Sequence, residues 1–116
     1  MIRSSSVGSV SDWLDEAHSI GAIGKTGRGV CEELGVDPKD VDIMMGTFTK
    51  SFGAAGGYVA GDYETVARVR QFAAGCTDAC SMPPAVCTQI LSSLRVISGE
   101  DGTDIGAKKL RQLRDN

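Results

Sequence analysis

A short apolar segment that runs into a glycine-bracketed turn places the tightest limit on how this chain can fold. Residues 41–47 read Val-Asp-Ile-Met-Met-Gly-Thr, and an apolar run this short that ends at a turn predicts a buried strand. Lys50 follows shortly afterwards, flanked by hydroxyl side chains and enclosed by Gly46 and Gly53. The sequence therefore predicts a lysine in a partly desolvated cleft at the end of a buried strand.

The rest of the chain alternates between strands and helices. Residues 56–61 predict a second strand, and Asp62 can cap a helix that follows it. Pro83-Pro84 opens a stronger helix that Gly99 closes, and residues 104–114 begin another. This alternation indicates an α/β layer structure. Because the strands are too few to complete one, we expect an incomplete, mostly parallel sheet with covering helices, as part of a larger domain.

Glycines concentrate in the first half of the chain. Residues 21–29 contain four of them and are predicted to form a loop rather than a helix. A short helical turn is expected to end at Gly35, followed by a further turn over residues 37–40. The first half is therefore expected to be rich in tight turns.

Charge and composition exclude several functions. The net charge of −3 gives no support for binding nucleic acid or an acidic membrane surface. Four cysteines without a C-x-x-C pair, together with a single histidine, lack the ligand spacing of a zinc site, so no metal is expected. No stretch approaches the ~20 apolar residues that cross a bilayer, and no secretory signal is recognised. Residues 1–12 are small and polar, and they are expected to be poorly ordered.

The segment Asp15-Glu16-Ala17-His18 has the spelling of the acidic motif of DEAH-type helicases. That interpretation requires a phosphate loop of the form G-x-x-x-x-G-K-[ST] before the motif. Gly24-Lys25-Thr26 supplies only the end of such a loop, and it lies after the motif. We therefore set the helicase hypothesis aside. Taken alone, the acidic segment would be interpreted as a solvated turn.

The surroundings of Lys50 favour a chemical role over that of an ordinary surface lysine. A lysine in a partly desolvated cleft loses proton affinity and becomes a usable nucleophile. The hydroxyls of Thr47, Thr49 and Ser51 can bind a phosphate. An acid earlier in the chain can keep a pyridine nitrogen protonated. Together these groups are typical of a pyridoxal-phosphate site in which the lysine holds the aldehyde as a Schiff base.

Three stretches carry a resemblance to a known family: residues 15–21 (DEAHSIG), Gly24 with residues 26–29, and residues 46–58 (GTFTKSFGAAGGY). They resemble the α-oxoamine synthases, which are fold-type I pyridoxal-phosphate enzymes. Within that family they are most similar to the long-chain-base subunit 2 group of the serine palmitoyltransferases. The resemblance implies that residues 13–116 are a fragment of a pyridoxal-phosphate-binding large domain of the aminotransferase class I/II type. Residues 1–12 do not share it.

The resemblance also implies residue roles. Lys50 would bond to pyridoxal phosphate and later move a proton at the substrate Cα. Asp15 would pair with the pyridine nitrogen. His18, counted with Lys50 among the catalytic residues, would hydrogen-bond the ring hydroxyl oxygen. Thr47 and Thr49 would lie near the phosphate.

The family reaction implied for the parent enzyme condenses L-serine with palmitoyl-CoA to 3-ketosphinganine, in sphingolipid biosynthesis. The resemblance further implies a dimer, either with a partner large subunit or of two identical subunits, associated with the endoplasmic reticulum membrane. The isolated chain is expected to be inactive, because other family site residues are not in it. Two alternatives stay open: a non-catalytic module that docks on a partner subunit, or another α-oxoamine synthase such as 5-aminolevulinate synthase.

Overall fold

The computed structural model describes residues 12–116. The expectation of a poorly ordered, unrelated start over residues 1–12 therefore lies outside the described residues, except at Asp12. Strands and α-helices follow one another in the order β1 (Trp13–Asp15), α1 (Val30–Leu34), β2 (Ile43–Thr47), β3 (Gly57–Gly61), α2 (Tyr63–Phe72), α3 (Ala74–Thr77), α4 (Pro84–Ser98) and α5 (Ile105–Asp115). A 3₁₀ turn at Pro38–Asp40 precedes β2.

The described strands form one sheet in the order β1-β2-β3. β1 is parallel to β2, with Trp13 opposite Ile43, and β2 is antiparallel to β3, with Ile43 opposite Gly61. The sheet is therefore mixed, whereas the sequence led us to expect mostly parallel strands. Residues 48–56 are enough for a hairpin but fewer than the roughly a dozen residues that a parallel crossover needs, which explains the antiparallel pair.

The helices begin and end where local chemistry predicts. Asp62 Oδ1 accepts a hydrogen bond from the Thr65 N–H at 2.9 Å and so caps α2. α4 begins at Pro84 and ends at Gly99, whose φ of 76° is left-handed. α1 likewise ends at Gly35. These predictions from single residues are confirmed.

Two short elements were not predicted. β1 is three residues long, too short to show an alternating pattern, and it exists because β2 pairs with it. α3 is four residues long and contains Gly75. Because glycine is a poor helix former, helix propensities do not predict α3. Tertiary context decides both elements.

The core of the described residues is small. Its buried hydrophobic residues are Cys31, Phe52, Ile90 and Leu110. α5 approaches α4 closely at Gly106, where an added Cβ would lie 2.1 Å from the Val96 carbonyl oxygen. Large side chains stay exposed, including Tyr63 at 87% and Phe72 at 75%. The radius of gyration is 16.1 Å, against about 13 Å for a compact domain of this length.

Within residues 12–116, no helix combines the length and the apolar character that crossing a membrane demands.

Candidate cofactor site

The carboxyl ends of β1 and β2 lie side by side at one edge of the sheet. Asp15 is the last residue of β1 and stands opposite Met45 of β2, while Thr47 is the last residue of β2. His18 follows β1 and Lys50 follows β2. Ligands of open α/β sheets bind outside the carboxyl ends of parallel strands. This edge is therefore the candidate site, and it gathers the residues that the sequence singled out.

The turn after β1 is built around Glu16. Its backbone N–H donates to the Met45 carbonyl oxygen at 2.8 Å, and its own carbonyl oxygen accepts from the N–H groups of Ser19 and Ile20 at 3.1 and 3.0 Å. The Glu16 side chain is only 1% exposed. Its carboxyl oxygens accept the Val30 N–H at 3.0 and 3.1 Å, and Oε2 also accepts the Ser19 hydroxyl. The turn is thus tied both to β2 and to the start of α1.

Asp15 and His18 lie on the outside of this turn, and both side chains are exposed. Asp15 Oδ1 accepts the Ala17 N–H at 2.8 Å. Its Oδ2 has no hydrogen-bond partner within residues 12–116, so one carboxyl oxygen is available to a cationic N–H of a ligand. The turn therefore presents an acid and an imidazole at the same edge of the sheet.

Lys50 lies in a tight turn that ends at Gly53. The Lys50 carbonyl oxygen accepts the Gly53 N–H at 3.1 Å, and the φ of 58° at Gly53 suits a residue without a Cβ. The Lys50 side chain is exposed and forms no ion pair with any residue in 12–116. The partly desolvated cleft expected around it is not formed by these residues, because its neighbours Thr49 and Ser51 are exposed and too small to cover it.

Phe52 anchors the lysine turn to the rest of the structure. It is 2% exposed and packs edge-on against Phe48, with ring centroids 5.3 Å apart. Phe48 in turn lies 5.4 Å from the Tyr58 ring of β3. The Phe52 carbonyl oxygen accepts Ser93 Oγ at 2.9 Å and Gln89 Nε2 at 3.2 Å, both from α4. The backbone next to Lys50 is therefore fixed although its side chain is exposed.

Thr47 and Thr49 are joined directly, with 2.8 Å between their hydroxyl oxygens. Thr47 Oγ1 also donates to the Gly56 carbonyl oxygen at 3.1 Å and accepts the Thr49 N–H at 3.2 Å. A hydroxyl has one proton and two lone pairs, so these three bonds use the full capacity of Thr47. Because Thr47 gives its proton to Gly56, the Thr49 hydroxyl is the donor in the bond between the two threonines. To donate to a phosphate, Thr49 would therefore have to release Thr47.

The glycine-rich loop before α1 is fastened by Glu32. Its carboxyl oxygens accept the Thr26 N–H at 3.0 and 3.2 Å, the Thr26 hydroxyl at 2.8 Å and the Arg28 N–H at 3.1 Å. Desolvation alone would raise the pKa of Glu32, but these hydrogen bonds and the charge of Arg28 outweigh it and lower the pKa below its ordinary value. The predicted loop over residues 21–29 is thus confirmed, and it is a fixed loop.

Two residues that organise this edge, Glu16 and Phe52, escaped the sequence argument. An acid between Asp15 and His18 is expected to be solvated, and its burial depends on Val30, which no local pattern connects to it. For Phe52 a local indication existed, because a lone aromatic ring in a turn of small residues is a natural anchor. Sequence spacing alone therefore finds the exposed groups more readily than their supports.

The groups at this edge suit pyridoxal phosphate. Lys50 offers an amine for the aldehyde, and Asp15 offers a free carboxyl oxygen for a protonated pyridine nitrogen. Thr49 offers a hydroxyl for the phosphate. An amine, an acid and hydroxyl groups at the carboxyl ends of parallel strands are typical of one class of protein, the pyridoxal-phosphate-dependent enzymes of fold type I.

The family comparison agrees with this class. The family described as aminotransferase class I and II matches residues 13–116, and the chain belongs to that family. The structure is accordingly part of the large domain of a fold-type I pyridoxal-phosphate-dependent transferase, with an incomplete sheet and covering helices. The predicted fold class is confirmed.

Within the family, the chain is similar to proteins of long-chain-base synthesis. It is 61% identical over 104 residues to long chain base biosynthesis protein 2c of Oryza sativa subsp. japonica, covering 90% of this chain and 21% of that protein. It is 60% identical, with the same coverage, to serine palmitoyltransferase 2 of Dictyostelium discoideum. The solved structure of serine palmitoyltransferase with its pyridoxal-phosphate internal aldimine matches with a TM-score of 0.74 and 31% identity, over 90% of this chain and 25% of that one. The chain thus spans about a fifth of the length of these curated relatives.

Proposed function

We propose that the protein to which this chain belongs is a pyridoxal-phosphate-dependent acyltransferase that condenses L-serine with palmitoyl-CoA to 3-ketosphinganine. Residues 13–116 supply part of its cofactor site. The observation that carries the proposal is the convergence of Asp15 and the Thr47–Lys50 segment at the carboxyl ends of two parallel strands. The similarity to serine palmitoyltransferase 2 supports the choice of substrates.

Five residues have distinct roles in this proposal. Lys50 bonds to the cofactor aldehyde, which its lack of an ion pair within the described chain permits. Asp15 Oδ2 holds the pyridine nitrogen, and His18 donates to the ring hydroxyl oxygen. Thr49 would release Thr47 and donate its hydroxyl proton to the phosphate, while Thr47 stays hydrogen-bonded to Gly56.

The chemistry then divides between cofactor and protein. When bound, pyridoxal phosphate supplies an electron sink for negative charge at the substrate Cα. Asp15 strengthens that sink by keeping the pyridine nitrogen protonated. With the cofactor bound, the Lys50 amine would be the acid and base that moves the proton at the substrate Cα. The hydrogen bond from the Gly53 N–H to the Lys50 carbonyl oxygen closes the turn that carries this amine.

Cofactor attachment is tested by borohydride reduction of the purified chain with pyridoxal phosphate, followed by peptide mapping. We expect the pyridoxyl group on Lys50, with no labelling in Lys50→Ala. Lys39→Ala removes an exposed lysine from the 3₁₀ turn and serves as the matched control, which should label as the wild type does. Labelling spread evenly over all lysines would contradict the assignment of Lys50.

The acyl transfer is tested in a chimera. Residues 13–116 replace the matching segment of the Dictyostelium discoideum relative, and release of CoA is followed with L-serine and palmitoyl-CoA. We expect release that requires both substrates and disappears in the chimera carrying Lys50→Ala. A chimera that binds the cofactor but prefers other acyl-CoA thioesters would point instead to another α-oxoamine synthase.

We further propose that the protein acts with a partner large subunit, or as a homodimer, at the endoplasmic reticulum membrane. Tyr63 and Phe72 leave large rings exposed at the two ends of α2, and the surface of a partner subunit would cover them. The same surface would serve a non-catalytic role in which the chain docks on a partner subunit. Co-purification with the full-length partner tests both, and aspartate at Tyr63 and Phe72 should abolish it.

A further inference from the structure

Glu16 is a buried acid to which the proposed chemistry gives no part. Its side chain is 1% exposed, while its neighbours in the acidic segment, Asp15 and His18, are exposed. Burying a carboxyl group is costly unless its oxygens are hydrogen-bonded. Glu16 meets that condition, and one of its partners, the Val30 N–H, is distant in the sequence.

The contacts of Glu16 join three parts of the structure. Its backbone N–H continues the β1–β2 ladder to Met45, and its carbonyl oxygen closes the turn that contains His18. Its carboxyl group reaches Val30 at the start of α1. The carboxyl lies directly against Gly29, where an added Cβ would be 2.3 Å from Oε2 and where φ is +87°. The backbone there leaves room for the acid and for no other side chain.

The backbone of Asp15 is held by the pairing of β1 with β2, but the side chains of Asp15 and His18 have no anchor comparable to that of Glu16. The one hydrogen bond of the Asp15 side chain within residues 12–116 is to Ala17, inside the same turn. Backbone hydrogen bonds from Gly21 to Gly27 and from Gly29 to Ile23 also connect the segment after the turn to the loop before α1. Glu16 adds the side-chain link, which starts within the turn itself.

We propose that Glu16 is a positioning residue, which holds Asp15 and His18 in register with Lys50 by locking the turn after β1 onto the start of α1. The inference rests on the proposed function only for the ligand that these residues serve. The fastening itself is a property of the chain without cofactor. Glu16 touches no cofactor atom in this account and acts through Asp15 and His18.

The first test uses the chain without cofactor. His18 is its only histidine, so a single imidazole resonance reports on the turn by NMR. In Glu16→Ala we expect this resonance to narrow and shift towards its position in the urea-unfolded chain. Ile90→Ala removes a buried core residue of α4 that is not a hydrogen-bond partner of Glu16. It should lower stability while leaving the His18 resonance in place.

The second test measures pyridoxal-phosphate binding. We expect affinity to fall about tenfold in Glu16→Ala, the equivalent of one lost hydrogen bond to a charged group, with the reduced label still on Lys50. Glu16→Gln keeps one acceptor oxygen for the Val30 N–H and should restore part of the affinity. Ile90→Ala should bind as tightly as the wild type at temperatures well below its unfolding midpoint.

The outcomes separate the two proposals. If residues 13–116 within the chimera do not hold the cofactor through Lys50, the proposed function is wrong, and the His18 resonance of the isolated chain still decides the role of Glu16. An unchanged His18 resonance in Glu16→Ala, or equal changes in Ile90→Ala, overturns the positioning role. If Glu16→Ala fails to fold, Glu16→Gln and Ser19→Ala, which removes one hydrogen bond to the same carboxyl group, carry the same comparison.

Discussion

The carbonyl oxygen of Phe52 accepts a hydrogen bond from the Ser93 hydroxyl at 2.9 Å, which connects the lysine turn to the middle of α4. Gln89 donates to the same oxygen at 3.2 Å. These bonds join residues that are far apart in sequence, and Phe52 lies only two positions after Lys50. The Lys50 side chain is thus exposed on a backbone that is hydrogen-bonded to α4.

Removing the Ser93 hydroxyl should loosen the turn without breaking it. In Ser93→Ala, Gln89 still occupies the Phe52 carbonyl oxygen, so we expect the free energy of unfolding to fall by about 1 kcal/mol. Urea denaturation measures this. Ser92→Ala is the matched control, because Ser92 is exposed and makes no side-chain hydrogen bond within residues 12–116. Equal urea denaturation midpoints for Ser93→Ala and Ser92→Ala would show that the Ser93 hydroxyl does not stabilise the turn.

Gly46 of β2 lies directly opposite Tyr58 of β3, and the Tyr58 ring covers it. An added Cβ would lie 2.5 Å from the ring of Tyr58, so Gly46→Ala should destabilise the fold by about 1–3 kcal/mol through overpacking. Gly75→Ala is the contrast, since nothing lies within 4 Å of its added Cβ. It sits within α3, where alanine is the better helix former. Thermal unfolding should therefore show opposite shifts for the two variants.

Tyr58 gives the stability a dependence on alkaline pH. Burial, and then the negative charge of Glu16, raise the pKa of Tyr58 above its ordinary value. The folded state therefore holds the phenol proton more tightly than the unfolded state. Its contribution is complete below pH ~10 and decreases as the pH rises beyond that value.

Tyr58→Phe should remove this decrease, which urea denaturation across an alkaline pH series would measure. Tyr63→Phe is the control, since Tyr63 is 87% exposed. It should keep the wild-type slope. The pKa of Cys31, also raised by burial first and then by Glu16 and Asp37, affects all three proteins alike and cancels. A wild-type slope in Tyr58→Phe would assign the dependence to another group.

Glu32 gives the opposite dependence at acidic pH. Its pKa is lowered in the folded state, because hydrogen bonds from Thr26 and Arg28 outweigh its desolvation. The stabilisation is therefore present above the ordinary carboxyl value of about 4.3 and is lost as the pH falls through the lower, folded-state pKa.

Glu32→Gln should flatten the acid limb of the stability profile, because its amide does not titrate. Glu33→Gln is the neighbouring control at an exposed position of the same helix. It should leave the limb unchanged. Equilibrium urea unfolding between about pH 2 and 6, the range in which carboxyl groups titrate, would measure both variants. It would show whether the hydrogen bonds of Glu32 or carboxyl groups in general cause the loss of stability.

Elements with local chemical markers could be predicted from sequence. Single residues mark three helix boundaries: Asp62 caps the start of α2, Pro84 begins α4, and Gly99 ends α4. β1 could not be predicted in the same way, because three residues that gain their order from Ile43–Met45 carry no pattern of their own. The antiparallel pairing of β2 with β3 follows from the short connection over residues 48–56, which is too short for a parallel crossover.

The candidate site divides along the same line. Lys50 was predicted from its residue type and surroundings, whereas the roles of Asp15 and His18 followed from the family resemblance. The structure brings the strands before these residues together. The supports were not found, since the burial of Glu16 and the link from Phe52 to α4 exist only after distant segments meet. The saturation of Thr47 likewise depends on Gly56 across the hairpin.

The mixed pairing of the sheet also has a consequence in time. The antiparallel pair of β2 and β3 closes over residues 48–56, whereas the parallel pair of β1 and β2 must close over residues 16–42. Closing a longer loop costs more entropy, and short hairpins form within roughly 1–10 μs. We therefore expect the lysine-bearing hairpin to form early and the strand with the acid to dock afterwards. In a newly made chain, the turn that carries Lys50 would then form before Asp15 is brought to the same edge of the sheet.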